Sequence, residues 1–221
     1  AFASLGQTGA HMVSNTAVYV KSATYTVTSA TANIAAGAWN GPAGSITVEG
    51  YATVRGDLNA PGASGTRPTL LASGISTFNF IVCNSFSNTS ARNIILDGAS
   101  LTGSSGSNGS MAQLWNVHAQ NCKATGIGTT TNVLRCSATG CTTAGGGFGA
   151  SITNAYWCVS YSNSVSGFTS GNAYGCLAYS NSGASSDGFA TAIAVNCTAY
   201  ANGRDGFRGP RCLCCIAESN T

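Results

Sequence analysis

Cys158-Val159-Ser160-Tyr161-Ser162-Asn163 is followed by Cys176-Leu177-Ala178-Tyr179-Ser180-Asn181, then by Cys197-Thr198-Ala199-Tyr200-Ala201-Asn202 and Cys215-Ile216-Ala217-Glu218-Ser219-Asn220. Looser copies precede them, Val117-His118-Ala119-Gln120-Asn121-Cys122 and Cys136-Ser137-Ala138-Thr139-Gly140-Cys141. Between the copies stands a second phrase, Gly followed by a large apolar residue: Gly126-Ile127, Gly147-Phe148, Gly167-Phe168, Gly188-Phe189 and Gly206-Phe207. The anchors at 117, 136, 158, 176, 197 and 215 are separated by 19, 22, 18, 21 and 18 residues. A period near 20 residues is the signature of a solenoid, whose repeats bury their apolar faces only against their neighbours.

Strand side chains alternate between faces, so an inward anchor puts the residues two before and two after it inward as well. The two-before column reads Trp115, Leu134, Tyr156, Tyr174, Val195, Leu213, and the two-after column Ala119, Ala138, Ser160, Ala178, Ala199, Ala217. Large in one column and small in the other suits a narrow stacked core. Asn116, Arg135, Trp157, Gly175 and Asn196 fall on the opposite parity and are expected to face water. Asn163, Asn181, Asn202 and Asn220 are expected to stack at a turn, each side-chain amide bonding to those above and below. The Gly-Phe phrase supplies a further strand or turn per coil, Gly giving the backbone freedom to turn and Phe plugging the core. No segment holds an apolar i, i+3, i+4, i+7 pattern long enough for a long helix.

The expected fold is therefore all-β, a right-handed parallel β-helix of about 20-residue coils in one domain spanning 1–221. Residues 1–16 carry no repeat and read as an N-terminal cap, 17–91 as irregular leading coils and 92–221 as regular ones. Within the leading part, Val18–Val27, Ile46–Tyr51, Thr69–Leu71 and Phe78–Val82 read as strands, and Arg92–Gly98 opens the regular region. Residues 28–45, Arg55 to Pro68 and 102–110 are rich in Gly, Ser or Pro and read as loops.

Composition narrows the function. The chain has 221 residues, of which only 7% are charged, with a net charge of +3 and no Lys/Arg-rich run. That argues against a nucleic-acid stripe and leaves a surface of Ser, Thr, Asn and Gly. No stretch approaches the ~20 apolar residues of a membrane span, and no signal peptide is visible at Ala1–Leu5. A start without Met and a stop just after a repeat phrase suggest a mature or partial piece of something longer. Ten Cys would normally suggest a disulfide framework, but five occupy the anchor column, where a small buried hydrophobe is wanted. Reduced, buried thiols are expected, with disulfides between neighbouring coils the alternative.

The repeated C-x-A-x-x-N…G-F coil, the Asn column and Arg92-Asn-Ile-Ile-Leu-Asp-Gly98 resemble right-handed parallel β-helix proteins of the pectate-lyase-like superfamily. Val18-Tyr-Val-Lys-Ser-Ala-Thr-Tyr-Thr26, Val48-Glu-Gly-Tyr51 and Arg55-Gly-Asp57…Arg67-Pro-Thr-Leu70 look like the first coils of such proteins, common in phage and environmental sequences. The resemblance implies the fold over about 18–221. It leaves activity open, because the superfamily includes lyases, hydrolases, phage tailspikes and non-catalytic fibres. Pectate lyases carry a dense acidic Ca²⁺ cluster, a catalytic Arg or Lys and a W-I-D-H-like coil, and this sequence has none of these as a motif.

Chemistry has few places to sit. Asp187-Gly188-Phe189 and Asp205-Gly206-Phe207 put two carboxylates in one column, about 5 Å apart if they point together, near the separation retaining glycosidases use. Arg204 and Arg208 flank the second. Asp187, Asp205 and Arg204 are thus the candidate catalytic set; ordinary Asp-Gly turns are the bland alternative. No cofactor is expected, and Ca²⁺ at Asp187/Asp205 is the one metal the residues suggest. Tyr161, Tyr179 and Tyr200, with Trp157 on the next row, form an outward aromatic column that offers sugar rings a platform, another copy of the chain an interface, or the sheet internal support. His118 is expected to be solvated, without an acid or Ser partner. Cys212, Cys214 and Cys215 lack a paired C-x-x-C set for zinc.

Two functions follow. One is a structural or adhesive β-helix module, extracellular or on a virion surface, which self-associates as a trimer or filament and contacts polysaccharide. The other is a polysaccharide lyase or glycoside hydrolase.

Overall fold

The computed structural model describes residues 16–28, 34–35, 46–60, 65–74, 78–83, 89–101, 104–109, 111–128, 130–142, 146–149, 151–209 and 211–221. All regular structure among them is β. Sheet 1 stacks nine parallel strands: β1 (Thr16–Lys21), β4 (Ile46–Tyr51), β7 (Thr89–Arg92), β10 (Met111–Trp115), β12 (Thr130–Leu134), β14 (Asn154–Tyr156), β16 (Asn172–Tyr174), β18 (Ile193–Val195) and β20 (Arg211–Leu213). Sheet 2 stacks β2 (Thr24–Val27), β5 (Thr69–Ala72), β8 (Ile95–Asp97), β11 (His118–Gln120), β13 (Ser137–Thr139), β15 (Val159–Tyr161), β17 (Leu177–Tyr179), β19 (Thr198–Tyr200) and β21 (Ile216–Glu218). A third sheet holds β3 (Ile34–Ala35), β6 (Phe78–Cys83) and β9 (Ser104–Gly109). Later coils continue the third side as single bridges running Ile127, Phe148, Phe168, Phe189, Phe207. The chain is a parallel β-solenoid.

The expected parity holds on one side of the anchor and fails on the other. Val117, Cys136, Cys158, Cys176 and Cys197 are buried, and so are Ala119, Ala138, Ser160, Ala178 and Ala199. On sheet 1, however, the inward row is three before the anchor: Leu114, Val133, Ala155, Ala173 and Ala194. Trp115, Leu134, Tyr156, Tyr174 and Val195 are on the outer face, half-buried, and Leu213 is exposed. The cause is the residue just before each anchor. Asn116, Arg135, Trp157, Asn196 and Cys214 have φ between 50° and 53°, and Gly175 has φ 60°. One left-handed residue turns the chain from sheet 1 into sheet 2, and alternation does not survive a residue that is not extended. Asn93 (φ 58°) makes the same corner inside Arg92–Gly98, between the last residue of β7 and the whole of β8.

The interior columns are chemically distinct. The ring of Phe168 stacks on Phe148 at 4.5 Å and on Phe189 at 4.8 Å, and Phe189 on Phe207 at 5.0 Å. The glycine before each ring is required for close approach: a Cβ on Gly167 or Gly188 would stand 2.7 Å from the carbonyl oxygen of the next coil's glycine. The same glycines lie at a bend in the chain just before each bridge residue. The Asn ladder is present: Asn163 Nδ2 donates to Asn181 Oδ1 (2.9 Å), Asn181 Nδ2 to Asn202 Oδ1 (2.8 Å), and Asn202 Nδ2 to Asn220 Oδ1 (2.8 Å). None of the described cysteines forms a disulfide. Each anchor thiol donates to the carbonyl two residues back, just before the corner, as in Cys158 to Tyr156 (3.3 Å) and Cys197 to Val195 (3.3 Å). Burial raises the proton affinity of the Cys158 thiol, and the hydrogen bond with Cys141 raises that of Cys122.

Two segments read as loops contain strands of the third side, β3 within 28–45 and β9 within 102–110. Their Ala, Ser and Gly content gives no strand signal, because the pairing comes from the coil stack and not from propensity. The expected cap lies outside the described residues except for Thr16, which opens β1. The loop after β4 is held by Asp57, whose carboxylate accepts the backbone N–H groups of Ala52 (2.9 Å), Thr53 (2.6 Å) and Val54 (2.9 Å). Those bonds, led by Thr53 and Val54, hold its pKa well below the usual carboxylate range.

Candidate functional site

The interior is filled by thiols, methyls, rings and amides, so ligands must meet the outer faces. On sheet 1 the outward row is Trp115, Leu134, Tyr156, Tyr174, Val195, Leu213, in register through the parallel pairs. The Tyr156 and Tyr174 rings stack at 5.0 Å and 13°. Trp157, 60% exposed, sits at the corner beside them, 6.1 Å from Tyr156. Its indole lies over Gly175 on the next coil, where a Cβ would come within 2.8 Å of the ring. On sheet 2, Tyr161 and Tyr179 stack at 5.1 Å and 5° and are half-buried, while Tyr200 is exposed. The expected column is thus outward, and a second aromatic row that parity had placed in the core runs beside it on sheet 1.

The register brings Asp187 and Asp205 to adjacent coils, with Gly188 N–H donating to the Asp205 carbonyl (2.8 Å). Their side chains differ. The Asp187 carboxylate is buried and held bidentately by Arg204, Nε to Oδ1 at 2.8 Å and an Nη to Oδ2 at 2.6 Å. Arg208 stands 3.8 Å from the same carboxylate. The Asp205 carboxylate is mostly exposed, 3.9 Å from Arg204 Nε. An open groove of about 670 Å³ is lined by residues that include Ser164, Ser166, Ser185 and Ser186. The Asp187 N–H donates to Ser166 Oγ (3.1 Å). No group of three or more His, Cys, Asp or Glu able to hold a metal occurs among the described residues.

His118 departs most from expectation. It is half-buried and hydrogen-bonded at both ring nitrogens, Nδ1 to Ser137 Oγ at 2.6 Å and Nε2 to Gln120 Oε1 at 3.0 Å. Gln120 Nε2 donates to Asp97 Oδ2 (2.6 Å), and Asp97 Oδ1 accepts Asn121 Nδ2 (3.1 Å) and Ala99 N–H (2.9 Å). Burial first, then the positive charge of Arg67, lowers the proton affinity of His118. Gln120 is two residues on, but Ser137 comes from the coil after, 19 residues ahead, and Asp97 from the coil before, 21 behind, so a search of the local sequence could not find the Ser or the acid. The signal was the register itself: His118, Ser137 and Ile95 share a column once the anchors are aligned. A second polar chain was also missed. Buried Glu49 takes Arg92 and Asn59 (2.9 Å), Asn59 takes Asn93 (2.7 Å), and Asn93 takes Asn116 (2.8 Å), to which Arg67 also donates.

No helix among the described residues is long and apolar enough to cross a membrane. No protein-family model matches the chain, and no curated protein matches it. Among solved structures it is similar to the ORF18 protein of Geobacillus virus E2, at 13% identity and a TM-score of 0.47 over 89% of this chain. The chain spans about half, 52%, of that protein's length.

Proposed function

We propose that this chain is a structural module of a fibre, extracellular or on a virion surface, which associates with copies of itself along the outer face of sheet 1. The observation that carries the proposal is the outward row Trp115, Leu134, Tyr156, Tyr174, Val195, Leu213 with Trp157 at its edge. Large apolar residues outside a narrow rod form a contiguous stripe, and such stripes on soluble proteins mark interaction surfaces. Aromatic residues and few charges are the composition of an interface centre. A stripe with a repeat of about 4.8 Å matches an identical stripe on a second copy at every coil. The uncharged, hydroxyl- and amide-rich remainder fits a rod that works outside a cell. The stacked Tyr161 and Tyr179 rings with Tyr200 support a second contact, with the apolar face of sugar rings. The polysaccharide-cleaving alternative, with Asp187, Asp205 and Arg204 as its set and Ca²⁺ as its metal, has less support, because Arg204 occupies both oxygens of Asp187.

Sedimentation velocity tests the reading. The chain is expected to run as a discrete oligomer at micromolar concentration, and Tyr156→Lys with Tyr174→Lys to run as a folded monomer. A wild-type monomer at the highest soluble concentration would overturn it. Loss of glycan retention in Tyr161→Ala with Tyr179→Ala, oligomer intact, is the expected result for the second contact.

A further inference from the structure

We propose that Ser137 and His118 form a nucleophile–base pair that hydrolyses small acyl esters on the outer face of sheet 2. The two residues are register partners on the adjacent strands β11 and β13, both outward and half-buried, with Ser137 Oγ 2.6 Å from His118 Nδ1. That is the reach a general base needs to take a hydroxyl proton.

Which nitrogen carries the proton follows from the partners. Asp97 takes hydrogen bonds and offers none, so the Gln120 atom 2.6 Å from it is the amide nitrogen. The Gln120 oxygen therefore faces His118, and it can only accept, so His118 Nε2 bears the hydrogen at 3.0 Å. Nδ1 is left with its lone pair directed at Ser137, whose hydroxyl donates to it. The chain Asp97–Gln120–His118–Ser137 crosses three coils in one direction, with Asp97 anchored by Asn121 and Ala99. Fixing the tautomer of a base through its second nitrogen is the role of the third member of nucleophilic triads. His118 meets two charges, Arg67 and, through Gln120, Asp97; burial and Arg67 keep the ring neutral and able to accept a proton near pH 7.

The step balances without a cofactor. Ser137 Oγ attacks the acyl carbonyl carbon as its proton passes to Nδ1, and the carbonyl electron pair moves onto its oxygen. The ester C–O bond breaks, the alcohol leaves with the proton from Nδ1, and the acyl group remains on Ser137. Water then attacks, gives its proton to Nδ1, and the acyl–Oγ bond breaks to release the acid as Ser137 regains the proton. The pair lies on an open sheet face, so the acyl group is small while the alcohol can be of any size, a polymer hydroxyl included. Ser137 and His118 are the catalytic residues; Gln120 and Asp97 are positioning residues.

The test is labelling with a fluorophosphonate and turnover of p-nitrophenyl acetate by the intact chain. Expected are a single label on Ser137 by peptide mass spectrometry and a loss of about 100-fold in both rates in His118→Gln, which keeps a polar side chain in the row. Gln120→Leu is expected to slow turnover about tenfold with KM unchanged and to move the acid limb of the pH profile down, since the Gln120 bond favours the charged ring. Folding of each variant is checked by circular dichroism. No label on Ser137, or turnover equal in wild type, Ser137→Ala and His118→Gln, overturns the proposal. Neither result depends on whether the chain self-associates.

Discussion

Replacing Asn181 by Ala tests whether the amide ladder holds the stack together. The Asn181 side chain is fully buried and makes four bonds. It donates to Asn202 Oδ1 (2.8 Å) and Ser160 O (3.3 Å), and it accepts from Asn163 Nδ2 (2.9 Å) and Asn163 N–H (3.3 Å). Some partners keep other bonds after truncation: Asn163 Nδ2 retains Ser160 Oγ (3.0 Å) and Ala138 O (3.3 Å), and Asn202 Oδ1 retains Asn181 N–H (3.3 Å). The Asn163 N–H loses this acceptor. The orphaned Asn163 donor costs about 1–3 kcal/mol and each of the other three lost bonds about 1 kcal/mol net, so the loss should total about 4–6 kcal/mol. Asn220 is the control, because it ends the ladder half-buried and water can replace its bonds, giving about 1–2 kcal/mol. Urea unfolding followed by far-ultraviolet circular dichroism measures both, and amide exchange at Asn163 reads the orphaned group directly. Equal losses for the two variants, or unchanged exchange at Asn163, would refute the reasoning.

Phe168→Ala removes a buried ring stacked on both sides and should cost about 3–5 kcal/mol by thermal unfolding, more than Phe207→Ala at the partly buried end of the stack. Arg92→Met strands the Glu49 carboxylate, 1% exposed, with Asn59 alone and should cost about 3–5 kcal/mol; adding Glu49→Gln should restore more than half of it in urea titrations. In the native protein Ellman's reagent should reach the exposed Cys212 and Cys214 at once, while Cys122, Cys136, Cys141, Cys158, Cys176 and Cys197 react only on unfolding. Asp57 has its pKa shifted down, so its contribution is complete above the ordinary carboxylate range and is lost only as pH falls well below it. Exchange protection at Ala52, Thr53 and Val54 should therefore persist to about pH 3 in the wild type and be weak at all pH in Asp57→Asn.

The period, the anchor column, the Asn ladder and the Phe stack were legible because each is a residue type repeated at one place in the coil. The sheet 1 row was misassigned for a physical reason: alternation counts residues along an extended chain, and one left-handed residue before each anchor shifts the count by one. Asn116 and Asn196 hinted at that corner, since Asn tolerates the conformation, but Arg135 and Trp157 do not advertise it. There the conformation is imposed by the stacked strands on either side. Strand β9 was invisible because Ser, Gly and Asn carry no strand preference, and β3 because two residues, Ile34–Ala35, are too short to show a pattern. The Asp187/Asp205 column was read correctly as a column. That Asp187 turns in to Arg204 while Asp205 turns out depends on side-chain directions the spacing does not encode.

In a solenoid, a column that repeats one residue type is explained by stacking, so chemistry is better sought where a column breaks. The outward sheet 2 column begins Thr69, Ile95 and ends Val159, Leu177, Thr198, Ile216, a β-rich mixture that any sheet face would tolerate. His118 and Ser137 interrupt it. The column beside it is aromatic at Tyr161, Tyr179 and Tyr200 but turns to Asp97 and Gln120 on the two coils up to His118. The two breaks overlap on the coil that carries His118 and Gln120, and the four residues are joined end to end by hydrogen bonds of 2.6–3.0 Å. Stacking alone does not require that coincidence, because Val or Thr at 118 and 137 would continue the sheet equally well. The sheet 1 row makes the opposite case: it stays apolar over six coils and suits a long contact with another rod rather than a local reaction. If both proposals hold, sheet 1 assembles and sheet 2 reacts, and a variant that damages one face should leave the other intact.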